Sequence, residues 1–351
     1  MPAENATAVR YPVPLRPGDR IGVTAPSSGV PDRLWPRVEV TRAFLEGEGF
    51  DVEIGECMHT PSQVSAPKEQ RAAELMRMLT DPDIRAVVPP WGGETGIDLL
   101  GLLDFEAIAD AEPTWCVGYS DTSTWLTPLT LRTGIATIHG QNFMDTLYRT
   151  PVGVAHWLDV AGSAVGAEIR QQSPGRWRST GFDDWAADPG AAEYHLDQPG
   201  TWTRIDPGAG GEPVALQGRL VAGCVETVSF LAGGAYGDVS GFADACAPEG
   251  IIHVLDVAEW AAYDICRALH AMRLHGWFDR SNGILVSRTT APSAGDLSQH
   301  DAVVEALGEL GVPIIADVEC GHVAPHFALV NGALTTVRFS TAEQSIAQTL
   351  A

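Results

Sequence analysis

Between Arg20 and about residue 165, short apolar runs alternate with longer segments of helical periodicity, and no other feature restricts the fold as much. Arg20-Ile-Gly-Val-Thr-Ala25 reads as a strand that ends in the loop Pro26-Ser-Ser-Gly29. Ile84-Arg-Ala-Val-Val-Pro89 and Trp115 to Tyr119 read as two more, and helices are expected over 33–47 and 67–80. Apolar runs this short and continuous suit strands buried on both faces. Their alternation with helices predicts a mostly parallel sheet covered on either side.

The texture changes between about 168 and 214, where QQSPGRWRSTGFDDWAADPG and DQPGTWTRIDPGAGGEP are rich in Gly, Pro and Asp. A connection of that length inside a compact protein is usually functional or disordered, and Trp177, Trp185 and Trp202 weigh against disorder. Order resumes with the strand Ile251-Ile-His-Val-Leu255 and a helix over about 260–275, whose buried stripe is Ala262, Ile265, Leu269 and Met272. Gly283–Ser287 and Pro313–Asp317 read as strands on either side of a helix at 297–310. Phe327–Val330, Asn331-Gly332 and Ala333–Val337 read as a hairpin, because Asn-Gly suits a type I′ turn. The expected organisation is two α/β domains. An N-terminal domain (1–167) holds the mostly parallel sheet, a Trp-bearing segment (168–214) connects, and a smaller C-terminal domain (215–351) ends in a β-hairpin.

The 351 residues carry 45 acidic against 22 basic side chains, a net charge of −23 that repels phosphate backbones and argues against nucleic acid as a partner. No membrane-spanning apolar run and no secretory leader are visible, so a cytosolic address is expected. The six cysteines form no C-x-x-C pair and read as reduced core thiols. Cys320-Gly-His322 with His326 is the only metal-like grouping; it lacks the second ligand pair usual for zinc, and neither metal nor organic cofactor is expected.

Val117-Gly-Tyr-Ser-Asp-Thr122 leaves a strand through Gly-x-Ser and enters a helix expected to start near Asp121. Gly118 relieves crowding at the turn. Ser120 is then either a helix N-cap or a nucleophile raised on a strand-to-helix elbow, and the missing second glycine of G-x-S-x-G leaves both open. A nucleophilic serine needs a base and the base an orienting acid. Asp256 closes one apolar strand and His322 lies in the loop after another, both where ligands gather in α/β sheets.

The ordered segments Leu15–Ser27, Ala86-Val-Val-Pro-Pro-Trp-Gly-Gly93, Gly118-Tyr-Ser-Asp121, Gly218–Thr227, Ile251–Asp256 and Cys320-Gly-His322-Val-Ala-Pro325 together resemble the LD-carboxypeptidase family of serine peptidases, which includes the microcin C immunity peptidases. The resemblance spans most of the chain outside 168–214. It implies a Ser-acid-His triad with Ser120 as nucleophile and His322 as general base. It also implies an oxyanion hole from the backbone amides of Gly93 and Asp121, with Gly92 and Glu94 beside the substrate. The family usually has Leu-Glu where this chain has Leu255-Asp256, so Asp256 takes the orienting role, with Glu259 one turn on as a substitute. A tryptophan of the connecting segment, Trp185 or Trp177, with Trp202 a third choice, would stack on a nucleobase. Relatives are commonly homodimers.

The expected activity is a serine carboxypeptidase-like hydrolase acting on a microcin C-type aminoacyl-nucleotide or a murein-type LD-peptide, with the former favoured by the tryptophans. Two alternatives stand beside it. One is a catalytically weak relative that binds such conjugates, motivated by Asp256. The other is an acyltransferase using the same acyl-enzyme.

Overall fold

The computed structural model describes residues 8–60 and 62–351. In chain order the first half runs β1 (Arg20–Val23), α1 (Trp35–Gly47), β2 (Asp51–Ile54), α2 (Lys68–Thr80), β3 (Ile84–Val87), α3 (Phe105–Asp110), β4 (Trp115–Gly118), α4 (Ser123–Thr133), β5 (Ile138–His139) and α5 (Trp157–Ala161). The segment that follows holds β6 (Glu168–Gln172), β7 (Arg176–Trp177), β8 (Gln198–Pro199) and β9 (Thr203–Arg204). The second half runs β10 (Val214–Cys224), α6 (Val225–Val228), α7 (Val239–Cys246), β11 (Ile251–Asp256), α8 (Ala262–Leu274), β12 (Ser281–Ser287), α9 (Gln299–Leu307), β13 (Ile314–Val318), β14 (Leu329–Val330), β15 (Leu334–Phe339) and β16 (Gln344–Thr349).

Two sheets result. The six-stranded one has the order β14-β5-β4-β3-β1-β2, parallel except for β14. The eight-stranded one has the order β6-β16-β15-β10-β11-β12-β13-β9, with a parallel centre from β10 to β13 and antiparallel flanks. Every residue of β11 is buried, as a central strand covered on both faces requires. The stripe Ala262, Ile265, Leu269 and Met272 of α8 is buried as its periodicity predicts.

The halves share one core rather than meeting across a wet seam. Leu75, Trp125 and Leu129 from the first half pack in one apolar cluster with Val221, Ile251, Leu269 and Ile284 from the second. Polar stitches run along the same contact: Thr127 donates to the Ala222 carbonyl at 2.9 Å, and the Cys224 amide donates to Ser123 Oγ at 3.1 Å. No helix among the described residues is long and apolar enough to cross a membrane.

The connecting segment is built into the sheets. β6 pairs with β16 at one edge of the eight-stranded sheet and β9 pairs with β13 at the other. The terminal hairpin exists, but its strands are β15 and β16, joined through residues 340–343. Asn331-Gly332, expected as a hairpin turn, does not join two paired strands. It carries the chain from β14, paired with β5 of the first sheet, to β15, paired with β10 of the second. Gly332 alone of the two has positive φ, 85°, and the Ala333 amide returns to the Val330 carbonyl at 3.2 Å. That is the pattern of a type II turn, not the type I′ of a two-residue hairpin. Asn331 instead spends its side chain between the halves: Oδ1 accepts from the Ala222 amide at 2.7 Å and Nδ2 donates to Thr137 at 3.0 Å.

Asn331→Ala leaves the buried Ala222 amide without its acceptor and removes one of the hydrogen bonds of Thr137, so a loss of about 1–3 kcal/mol in unfolding free energy is expected. Chemical denaturation of the two proteins measures it, and an unchanged midpoint would remove this residue from the account of how the halves are held.

Candidate active site

The loops that matter leave the carboxyl ends of parallel strands in both sheets. Gly92-Gly93 follows β3, Ser120 follows β4, Asp256 ends β11 and His322 follows β13. Such ends are where α/β sheets bind ligands.

Ser120 has φ of 65°, in the left-handed region that a non-glycine residue enters only at a cost of about 1–3 kcal/mol. It starts a 3-10 turn, Ser120–Thr122, that leads into α4. The N-cap reading is thereby excluded, since an N-cap needs extended backbone and a hydroxyl turned to the helix amides. Ser120 Oγ lies instead 3.0 Å from His322 Nε2, and His322 Nδ1 lies 3.0 Å from Asp256 Oδ1. A carboxylate only accepts, so Nδ1 is the donor and Nε2 presents its lone pair to the serine O–H.

Asp256 has no exposed surface. Burial alone would raise its carboxyl, but the His322 charge and hydrogen bond outweigh it and hold the group below the usual carboxylate range. Burial likewise opposes the imidazolium of His322, yet Asp256 lifts this histidine above its ordinary value. His322 meets the Tyr119 ring edge-on, and two more buried histidines, His139 and His326, lie against the same ring. His139 is lowered by burial, and His326 is pushed down to about 4 by burial and by His322. Of the three, only His322 is tuned to take a proton.

Two glycines make the approach feasible. A Cβ on Gly321 would stand 1.9 Å from Asp256 Oδ1, so a side chain there would displace the carboxylate. A Cβ on Gly92 would stand 2.7 Å from the Asp121 amide and 2.9 Å from Ser120 Oγ. The Gly92 carbonyl accepts from the Ser28 amide at 3.3 Å, and in a trans peptide this turns the Gly93 N–H away from Ser28. Gly93 and Ser120 line both cavities described below.

The Asp121 side chain organises the loops around the serine. Its Oδ2 accepts from Ser27 Oγ at 2.6 Å and from the Gly96 amide at 2.8 Å, and its Oδ1 accepts from Thr124 at 2.9 Å. One carboxylate thus ties the Ala-Pro-Ser loop and the Gly-Gly loop to the serine turn. Sequence reading missed this role, although an acid at the first turn of a helix is a visible cue.

Two cavities meet at Ser120 and His322. One of about 620 Å³ is walled by Trp91, Tyr119, Asp145 and Trp185. The other, of about 560 Å³, is walled by Glu94, Cys224, Glu226, Phe230, Glu259 and Trp260. Trp185 and Trp91 lie nearly parallel, 6° apart with centroids at 6.5 Å. Trp185 is locked by its Nε1 donating to Tyr148 Oη at 2.9 Å and by the Arg37 guanidinium over its ring at 5.1 Å. Arg178 pairs with both oxygens of Asp183, which also accepts from Tyr148.

Trp177 is not in either cavity; it lies on Arg288 at 5.3 Å, with its N–H on the Pro199 carbonyl. Trp202 is core, donating to the buried Glu319 at 2.6 Å. Trp91, which precedes the Gly92-Gly93 pair, lines the larger cavity from outside the connecting segment, where the sequence carries no stacking signal. Glu259 is exposed, its amide bound to Glu226 at 3.0 Å, and Asp256 already fills the place it was to substitute for. Cys320, His322 and His326 do not converge as metal ligands. Among the described residues the converging set is Cys224, Asp256 and His322.

An activated serine would be labelled by a fluorophosphonate, and the rate should rise with pH as His322 loses its proton, with a midpoint above 6.5. Asp256→Asn removes the charge that raises His322, so the midpoint moves down and the maximal rate falls by up to ~10⁴-fold. Gly92→Ala should abolish labelling while leaving the circular dichroism spectrum unchanged. A pH-independent rate, or full labelling of either variant, would contradict this geometry.

Family models for the LD-carboxypeptidase N-terminal and C-terminal domains match residues 21–140 and 217–337. The microcin C7 self-immunity protein MccF of Escherichia coli is 23% identical over 344 residues, 95% of each chain. The structure of MccF in complex with aspartyl sulfamoyl adenosine superposes with a TM-score of 0.79 at 20% identity, over 96% of this chain and 98% of that one. An MccF-like protein from Streptococcus pneumoniae in complex with AMP gives 0.71 at 21% identity, over 94% and 98%. At such identities the superpositions speak for the fold alone, while the family models cover most of the length: the chain belongs to the LD-carboxypeptidase family.

Proposed function

We propose that the protein is a serine hydrolase that cleaves the acyl bond of an aminoacyl-nucleotide. The observation that carries the reading is the unbroken chain Ser120 Oγ, His322 Nε2, His322 Nδ1, Asp256 Oδ1, with both links at 3.0 Å. Ser120 Oγ attacks the acyl carbon as its proton passes to His322. The oxyanion is met by the amides of Gly93 and Asp121, already fixed in place and so needing little reorganisation. Collapse breaks the bond to the leaving group, which takes the proton from His322. Water, deprotonated by the same imidazole, then releases the acid and restores Ser120. Asp256, where the resemblance leads one to expect a glutamate, lies 3.0 Å from His322 Nδ1, which supports a working triad over a binding-only relative.

The substrate class is supported by the larger cavity. Trp91 and Trp185 offer near-parallel ring faces beside Ser120, and base-on-aromatic stacking tolerates any base. Structures of MccF and of the Streptococcus pneumoniae relative are in complex with aspartyl sulfamoyl adenosine and with AMP respectively.

The test offers an aminoacyl-sulfamoyl adenosine and a murein tetrapeptide ending in D-Ala to the purified protein. Nucleotide hydrolysis is expected, lost by ~10⁴-fold or more in Ser120→Ala. Trp185→Ala should weaken the nucleotide by ~1–3 kcal/mol, roughly 5- to 150-fold in KM, with a smaller effect on the peptide. Exclusive turnover of the tetrapeptide would reassign the substrate, and turnover that survives Ser120→Ala would overturn the mechanism.

A further inference from the structure

The second cavity differs from the first in charge. Among the residues that wall it there is no Lys or Arg, whereas Glu94, Glu226 and Glu259 all are present, with Asp121 at its inner end. Glu226 is fixed: Oε1 accepts from the Ala258, Glu259 and Trp260 amides at 2.9, 3.0 and 3.1 Å. Glu94 and Glu259 have no cationic partner among the described residues and stand exposed at the mouth. The Glu94 carboxyl is held above the ordinary glutamate range by partial burial and by the charges of Asp121 and Glu259. Phe230 and Trp260 complete the wall with rings edge to face at 5.8 Å.

Resting on the aminoacyl-nucleotide reading, we propose that this cavity takes the acyl side chain and that the side chain is cationic, an amine or guanidinium. The stacking wall claims the first cavity for the nucleoside, and Ser120 lies where the two cavities meet, so the acyl group enters the second. An anionic acyl group would bring a further negative charge among carboxylates that no Lys or Arg of the wall offsets. A cationic one relieves their mutual repulsion, gains charge-assisted hydrogen bonds and finds aromatic faces, which attract cations. Specificity then comes from repulsion of the wrong charge as much as attraction of the right one.

The experiment presents lysyl, arginyl, aspartyl and glutamyl groups twice, once on sulfamoyl adenosine and once on D-alanine, and measures kcat/KM for each. Within whichever series is cleaved, the cationic members are expected to exceed the acidic ones by ~10²-fold or more, and Glu94→Gln with Glu259→Gln should shrink that ratio at least ~10-fold. Raised salt should shrink it in the wild type too, because both carboxylates are exposed. Equal or reversed preference overturns the cationic assignment and leaves the nucleotide reading standing. Cationic preference confined to the D-alanine series upholds the pocket and overturns the nucleotide reading. Turnover in neither series overturns both.

Discussion

The hydrogen bond from His322 to Asp256 joins a loop to a strand end of the second sheet, and the bond from the same ring to Ser120 joins them to the first. Neither sheet holds a nucleophile and its base together, so the site exists only while the carboxyl ends of the two sheets are kept in register. That explains why the halves share an apolar core through α2, α4, β10 and α8. It also explains why β14 crosses over to pair with β5, since it is the next strand after His322 and anchors that loop to the sheet that carries Ser120. Chain order alone would have left two independently movable domains.

Local strain and polar ties converge on the same turn. Ser120 keeps its left-handed backbone because the turn is held on every side: Asp121 binds Ser27, Gly96 and Thr124, and Asn142 accepts from the Tyr119 amide at 3.3 Å. A turn held this tightly would meet the demand of the proposed mechanism for donors fixed before charge develops. The cost is of order 1–3 kcal/mol, small against the three hydrogen bonds to the Asp121 carboxylate alone.

What could be read from the sequence divides along the range of the interactions. β11, α8 and the strands ending at Ser120 and His322 declare themselves because burial on two faces or one stripe leaves a periodic trace in adjacent residues. Ser120 is ambiguous locally, since a capping serine and an elbow serine both sit between strand and helix. Only its φ, imposed by residues from four other segments, separates them. Asn331-Gly332 has sound turn chemistry, but which strands flank a turn as partners is decided far away, by β5 and β10. The tryptophans fail for the same reason: Trp185 and Trp177 lie in similar stretches, and Arg37 and Tyr148, more than 35 residues upstream, select the one that enters the cleft.

The aspartate at position 256 shows how a shorter side chain is accommodated. Its carboxylate must reach Nδ1 from the last residue of a strand whose backbone is fixed by neighbours on both sides. The distance is closed from the other loop, where Gly321 lets the chain pass so near that a Cβ would lie inside the carboxylate's contact radius. The Val257 amide donates to Ser287 Oγ at 2.9 Å, which secures the strand end against drifting away. With Nδ1 at 3.0 Å from Asp256 Oδ1 and Nε2 at 3.0 Å from Ser120 Oγ, the imidazole is held between its two partners with an aspartate at this position.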